Sequence, residues 1–217
     1  MKKIHVLAAM LLFAGVPLFG AQKKETQPTL PTNNSIQSIG INGEFTSYDV
    51  EEQDLSLSGA SIQYSRDIYT TKNGLVFTLR LSGSYGTGEL EGDFIVPIYV
   101  DDELVGLEED KLTFDATAWG VMAGVDVNYN VNERCRLFAG PRVGYRSISF
   151  DECDGLKLEN DEMNATIYGF SIGVRYTFED KKIGCEAGLN HLWNAWDVEE
   201  TDTCTSNTIY AGVFYAF

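Results

Sequence analysis

The sequence predicts an all-β chain: eight antiparallel strands closed into an up-and-down barrel that crosses a membrane. Three observations predict it. From Ile36 onward apolar residues recur with period two rather than 3.6. The connections between these stretches alternate between short and long. Aromatic residues stand near both ends of the alternating stretches, where the two faces of a bilayer would meet the wall.

The clearest strand alternates Trp119, Val121, Ala123, Val125, Val127 and Tyr129 with Gly120, Met122, Gly124, Asp126 and Asn128. A second sets Tyr168, Phe170, Ile172, Val174, Tyr176 and Phe178 against Gly169, Ser171, Gly173, Arg175 and Thr177. The other outward sets are Ile39, Ile41, Phe45; Ala60, Ile62, Tyr64; Leu75, Phe77, Leu79, Leu81; Leu137, Ala139, Val143, Tyr145; Ile183, Ala187, Leu189; and Ile209, Ala211, Val213, Tyr215, Phe217. The total is even, as a closed bacterial barrel requires. Short turns are expected at Thr70–Gly74, Asn130–Arg134 and Glu179–Lys182. Long surface loops are expected at about Asp49–Ser58, Gly86–Thr113, Ser149–Asn164 and Asn194–Ser206. Tyr64, Tyr129, Tyr176 and Phe178 would form the girdle at the short-turn end. Trp119, Tyr145, Tyr168 and Trp193 would form the one at the loop end.

Residues 1–21 read as a signal peptide: Lys2 and Lys3, an apolar stretch from Ile4 to Phe19, then the small Gly20 and Ala21. After Ala21 no apolar run is long enough for a spanning helix. Residues 22–35, polar and carrying two prolines, read as a short periplasmic arm. The barrel then occupies 36–217.

The chain ends Ile209-Tyr-Ala-Gly-Val-Phe-Tyr-Ala-Phe217. A terminal Phe preceded by apolar residues at alternate positions, here Tyr215 and Val213, resembles the closing strand that the barrel assembly machinery reads. With the strand count, the chain resembles the OmpA/OmpX-like group of small eight-stranded outer-membrane barrels. That resemblance implies the outer membrane of a diderm bacterium, outer-membrane lipid as surroundings, and Tyr215 and Phe217 as the assembly signal. It does not reach the peptidoglycan-binding domain of full OmpA proteins.

By the alternation, Glu44, Arg80, Asp126, Arg136, Arg142, Arg146, Arg175 and Glu186 face the lumen. An eight-stranded barrel is just wide enough for side chains to fill, and buried charges must pair or stay hydrated. Two readings follow: a polar plug that stiffens the wall, or a narrow porin-like ion path. If Glu179–Lys182 is the turn, Arg175 lies opposite Glu186, Tyr176 opposite Cys185 and Phe170 opposite His191.

The long connections are acidic and hold Lys111 and Lys157 as almost their only bases. Over the whole chain 32 Asp and Glu stand against 16 Lys and Arg, a net charge of −16. Such a surface disfavours nucleic acid and attracts cations or cationic extracellular partners. No stretch has the spacing of an EF-hand or a calcium nonapeptide repeat, so no metal site and no cofactor are expected. Within Gly86–Thr113, the run Phe94–Val100 reads equally as a partner-binding loop or as a hairpin turning at Asp101-Asp102-Glu103.

The four cysteines divide between the rims. Cys153 and Cys204 fall in surface loops and are expected to form a disulfide in an oxidising compartment. Cys135 and Cys185 fall near the periplasmic rim with one strand between them. Two spacings of ~4.8 Å exceed the ~7 Å reach of a bridge, unless the turn at Cys135 curls inward, so that bridge is left open. A lipid-modifying enzyme is disfavoured, because the mature chain offers only His191 as a base and no nucleophile beside it. The sequence therefore reads as a non-enzymatic surface protein, with a small porin-like channel as the alternative.

Overall fold

The computed structural model describes residues 36–50, 53–100, 103–153, 161–179, 182–197 and 204–217. The expected signal peptide and arm lie outside the described residues. Eight strands follow in order: β1 (Gln37–Val50), β2 (Gln53–Thr70), β3 (Val76–Val100), β4 (Glu103–Asn130), β5 (Cys135–Phe150), β6 (Glu162–Thr177), β7 (Ile183–Trp196) and β8 (Cys204–Ala216). Each pairs antiparallel with the next, and β8 pairs with β1, which closes the barrel. At the seam the Phe217 N–H donates to the Gln37 carbonyl at 2.9 Å, so the terminal residue is part of the closure.

The stagger fixes the size. Paired residues traced round the wall run Ile39, Tyr64, Leu81, Ala123, Val143, Tyr168, Trp193, Thr205 and return to β1 at Asp49, ten residues further on. Eight strands with that stagger tilt by about 40° and leave a backbone radius of roughly 8 Å. Side chains fill such a lumen.

The expected register is present. Arg175 opposes Glu186, Tyr176 opposes Cys185, and Phe170 opposes His191. The outward residues form an apolar band: Ile41, Ile62, Val121, Val143, Ile209 and Val213 are all more than half exposed. On β8 the band runs from Ile209 to Phe217, the length of a membrane-crossing strand. Aromatic pairs mark its edges: Trp119 with Tyr145 and Tyr168 stacked on Trp193 at the loop end, Tyr176 with Phe178 at the turn end. Val213 stands at the middle of the band. Val213→Arg should therefore cost about 2–4 kcal/mol in lipid-vesicle unfolding, while Ser47→Arg, on the same outer face above the band, should cost little.

The short turns fall where expected, and Gly74 takes the left-handed φ of +82° that its turn requires. The long connections are a correction. Most of Asp49–Ser58 and Gly86–Thr113 is paired strand, not loop. The β1–β2 ladder continues to Val50↔Gln53 and the β3–β4 ladder to Val100↔Glu103. Of the two readings of Phe94–Val100, the hairpin is the one found. The physical reason is a change of phase. Inside the band apolar residues point outward to lipid. Above it they point inward, and Leu55, Leu57, Leu90, Phe114, Ile148, Phe150 and Ile167 are all buried. The strands go on with polar residues outside and apolar ones inside, as a water-exposed β-structure would.

Candidate functional site

The lumen has two layers. The lower one is charged. Arg80 lies on β3, Asp126 on β4, Arg142 on β5, Arg175 on β6 and Glu186 on β7, so the wall delivers them from five neighbouring strands. Arg80 Nε donates to Asp126 Oδ2 at 2.7 Å and its Nη1 to Glu186 Oε1 at 3.0 Å. Arg142 Nη1 lies 2.7 Å from Asp126 Oδ1. Arg175 holds Glu186 Oε2 through two hydrogen bonds, from Nε at 3.1 Å and Nη2 at 2.8 Å. Gln63 Nε2 adds a fourth donor to Glu186 at 2.7 Å. Two guanidinium groups are also roofed by rings: Arg80 by Phe138 at 4.4 Å and Arg175 by Phe214 at 4.3 Å.

Arg136 and Arg146 lie outside this knot. Arg136, nearer the short-turn end, is held by both Asp67 oxygens at 3.3 and 3.2 Å. Arg146, nearer the loop end, donates to the Tyr48 hydroxyl at 2.6 Å. Glu44 faces the lumen between the layers and lines two small spaces, of about 20 Å³ and about 10 Å³. Each has room for roughly one water. All eight charges named from the sequence thus face the lumen. The residues missed were Asp67, Gln63 and Tyr48. Asp67 sits beside a bulge, where the register shifts between Asp67 and Tyr69 and simple alternation is lost.

The upper layer was not foreseen. Tyr48, Leu55, Leu57, Leu90, Phe114, Ala116, Ala118, Ile148, Phe150 and Cys204 form one buried apolar cluster above the charges. Phe94, Leu112, Cys153, Met163 and Trp196 pack against it. A charged layer locked by ion pairs and an apolar layer above it follow each other along the lumen.

The expected Cys153–Cys204 disulfide is corrected by the same layer. All four cysteines are free thiols. The β7–β8 ladder runs up to Asn194↔Cys204, so Cys204 opens a strand instead of sitting in a loop. Its side chain is buried, and the Trp196 indole N–H donates to its sulfur at 3.0 Å. Burial pushes the Cys204 thiol up from its ordinary pKa. Cys135 and Cys185 both pair with Tyr176, one on each side, which sets them two strands apart.

His191 faces outward at the loop-end girdle. Its ring packs on Phe170 at 5.4 Å and Trp193 at 5.0 Å, and its Nδ1 lies 2.8 Å from Asn207 Oδ1. Tyr215 and Phe217 stack on the outer face at the other end. Among the described residues no group of three or more His, Cys, Asp or Glu is placed to hold a metal ion.

Outside the barrel proper, β3 and β4 continue as a two-stranded ribbon. β2 accompanies β3 only to Gln53↔Gly92, and β5 accompanies β4 only from Ala116↔Phe150. Residues 93–100 and 103–111 thus pair with each other and with no other described strand. Asp93, Glu109 and Asp110 are exposed on the ribbon, and Lys111 is paired with Glu91. Ile95 and Leu107 are 73% and 67% exposed. Phe94 roots the ribbon by packing edge-on against Phe114 at 5.1 Å.

No protein-family model matches the sequence, and a search of curated proteins finds no match. Solved structures do match. Neisserial surface protein A is 15% identical, with a TM-score of 0.52 over 83% of this chain and 97% of that one. The outer membrane protein OprG from Pseudomonas aeruginosa is 10% identical, with a TM-score of 0.51 over 84% and 96%. The likeness is one of fold. The apolar exterior band suits a wall that crosses a membrane with strands. The chain has the architecture of the small eight-stranded outer-membrane barrels.

Proposed function

We propose that this chain is a non-enzymatic surface protein whose barrel is a closed anchor and whose working part is the acidic β3–β4 ribbon. The observation that carries this reading is the ribbon itself. A ladder that continues to Val100↔Glu103, beyond the strands on either side, is extra structure that membrane anchoring does not need. Between Asp93 and Asp115 the sequence has eight acids and only Lys111 as a base. The partner such a surface favours is cationic. Divalent cations are attracted by the same field, without a dedicated cage for them. Recognition of Tyr215 and Phe217 by the barrel assembly machinery belongs to biogenesis and is compatible with either role.

Retention on an amine-coated surface tests the reading. Vesicles of zwitterionic phospholipid carrying the protein should be retained at low salt. They should be released as the salt rises past physiological strength, where the Debye length falls below about 8 Å. Replacing residues 93–113 with a two-residue turn should leave the barrel folded and abolish most of that retention. Equal retention without the ribbon would refute it. The porin reading draws on the lumen charges and is tested by conductance.

A further inference from the structure

We propose that the turn end of the outer wall holds the phosphate of a lipid headgroup between Arg66 of β2 and Gln37 of β1. The two residues are direct partners in the β1–β2 ladder. Both face outward, because Ser38 and Ser65, their neighbours in the chain, are buried on the lumen side. Opposed side chains on paired strands start about 5 Å apart at Cβ, a span that one phosphate can bridge. The Tyr64 hydroxyl donates to Gln37 Oε1 at 2.9 Å. That bond orients the Gln37 amide and leaves Nε2, a donor, as the end that can meet an anion. A guanidinium, which can give two parallel hydrogen bonds to a phosphate, and an amide N–H are thus set side by side on a rigid ladder.

Depth selects a lipid. Tyr64 belongs to the aromatic edge of the apolar band, and Arg66 follows it two residues further on the same face, about 6.6 Å along the strand. Headgroup phosphates lie at that level, and a long basic side chain there keeps its stem on apolar surface and its charge at the headgroups. Leu79 pairs with Arg66 on the β3 side and Phe217 with Gln37 on the β8 side, so apolar residues flank the pair where acyl chains would run.

Charge selects an anionic one. Asp67, the acid next to Arg66 in the chain, is held by Arg136 and Thr78 instead. The sequence leading into β1, at 22–35, carries Lys23 and Lys24 against the single acid Glu25. Lys72, in the β2–β3 turn, adds a second exposed base to the same hairpin. The opposite end of the wall is the reverse: Asp49, Asp54, Glu89, Asp115 and Glu162 are exposed above the loop-end girdle. Anionic headgroups are therefore drawn to the turn-side leaflet and repelled from the other. The site is independent of the ribbon and its partner.

Native mass spectrometry of the full chain in neutral detergent, titrated with short-chain phosphatidylglycerol, resolves each bound lipid. Wild type should take its first phosphatidylglycerol about fivefold more tightly than phosphatidylcholine, the effect of one basic residue at a membrane surface. Arg66→Gln should remove that preference. Tyr64→Phe keeps every charge but releases the Gln37 amide, and should lose part of it. Arg134→Gln takes one charge from another turn of the same rim and should leave the preference intact. If Arg134→Gln costs as much as Arg66→Gln, the summed charge of the rim attracts the lipid and the paired site is overturned. An unchanged preference in either Arg66→Gln or Tyr64→Phe overturns it too, as does a wild type that shows none. Inorganic phosphate in millimolar excess separates the sources. The bound lipid should stay, and its full displacement would make free phosphate the occupant in place of a headgroup.

Discussion

Glu186→Ala should destabilise the barrel by about 3–5 kcal/mol, the cost of removing one partner from a buried ion pair. Glu186 is the central acid of the lumen, its side chain 1% exposed. It accepts hydrogen bonds from Gln63, Arg80 and both Nε and Nη2 of Arg175. Without it Arg80 keeps Asp126, but Arg175 keeps the Ser38 and Ser65 hydroxyls, each at 3.2 Å, and the Phe214 ring, with no carboxylate among the contacts described for it. A buried guanidinium with only neutral partners is poorly compensated. Glu186→Leu combined with Arg175→Met should recover much of the loss, because it removes both charges and leaves apolar volume. Urea unfolding in phospholipid vesicles, followed by tryptophan fluorescence, gives the numbers. A loss below about 1 kcal/mol would mean that water enters freely and screens the pair.

Phe114→Ala should cost about 3–5 kcal/mol, as truncation of a buried aromatic does. Phe114 is 2% exposed in the upper layer and carries the Phe94 ring on its edge. The loss should have a spatial signature. Phe94 is the ribbon's attachment to the apolar layer, so limited proteolysis should cut within residues 93–113 well before it reaches the membrane band. A variant that resists protease there as wild type does would show that the ribbon is held by its ladder alone.

The membrane-embedded half of the fold was legible in the sequence because lipid enforces one rule on every outward position. Ile39, Ile41, Phe45 on β1 and Ile209, Val213, Tyr215 on β8 obey it, and the register at Arg175↔Glu186 follows from it. The lumen charges were legible for the same reason, since an Arg in the alternate phase has nowhere else to go. The upper half was not, because the rule reverses at the membrane surface. Leu90 and Phe114 lie in the opposite phase from Leu81 and Trp119 on the same strands. Read with the phase of the membrane band, Glu89, Glu91 and Asp93 look like the start of a polar loop. They are the outer face of a strand whose inner face is dry. The cysteine pairing failed at the same boundary: Cys204 lies above the band, where inward means buried in the apolar layer. Individual partners within the lumen were the least legible part. Arg146 reaches Tyr48 and Arg80 reaches two acids at once. Those choices depend on the stagger of ten residues round the wall, which no single strand contains.

The central claim is that the barrel is an anchor sealed in series by an ion-paired layer and an apolar layer. Planar-bilayer conductance of the purified protein tests it most directly, with Glu44→Ala and Glu186→Ala measured alongside. The account predicts rare, small openings for the wild type, and more frequent or larger ones for both variants, with Glu186→Ala the greater because it unlocks two arginines. A steady wild-type conductance that neither substitution changes would contradict it and favour the porin-like reading.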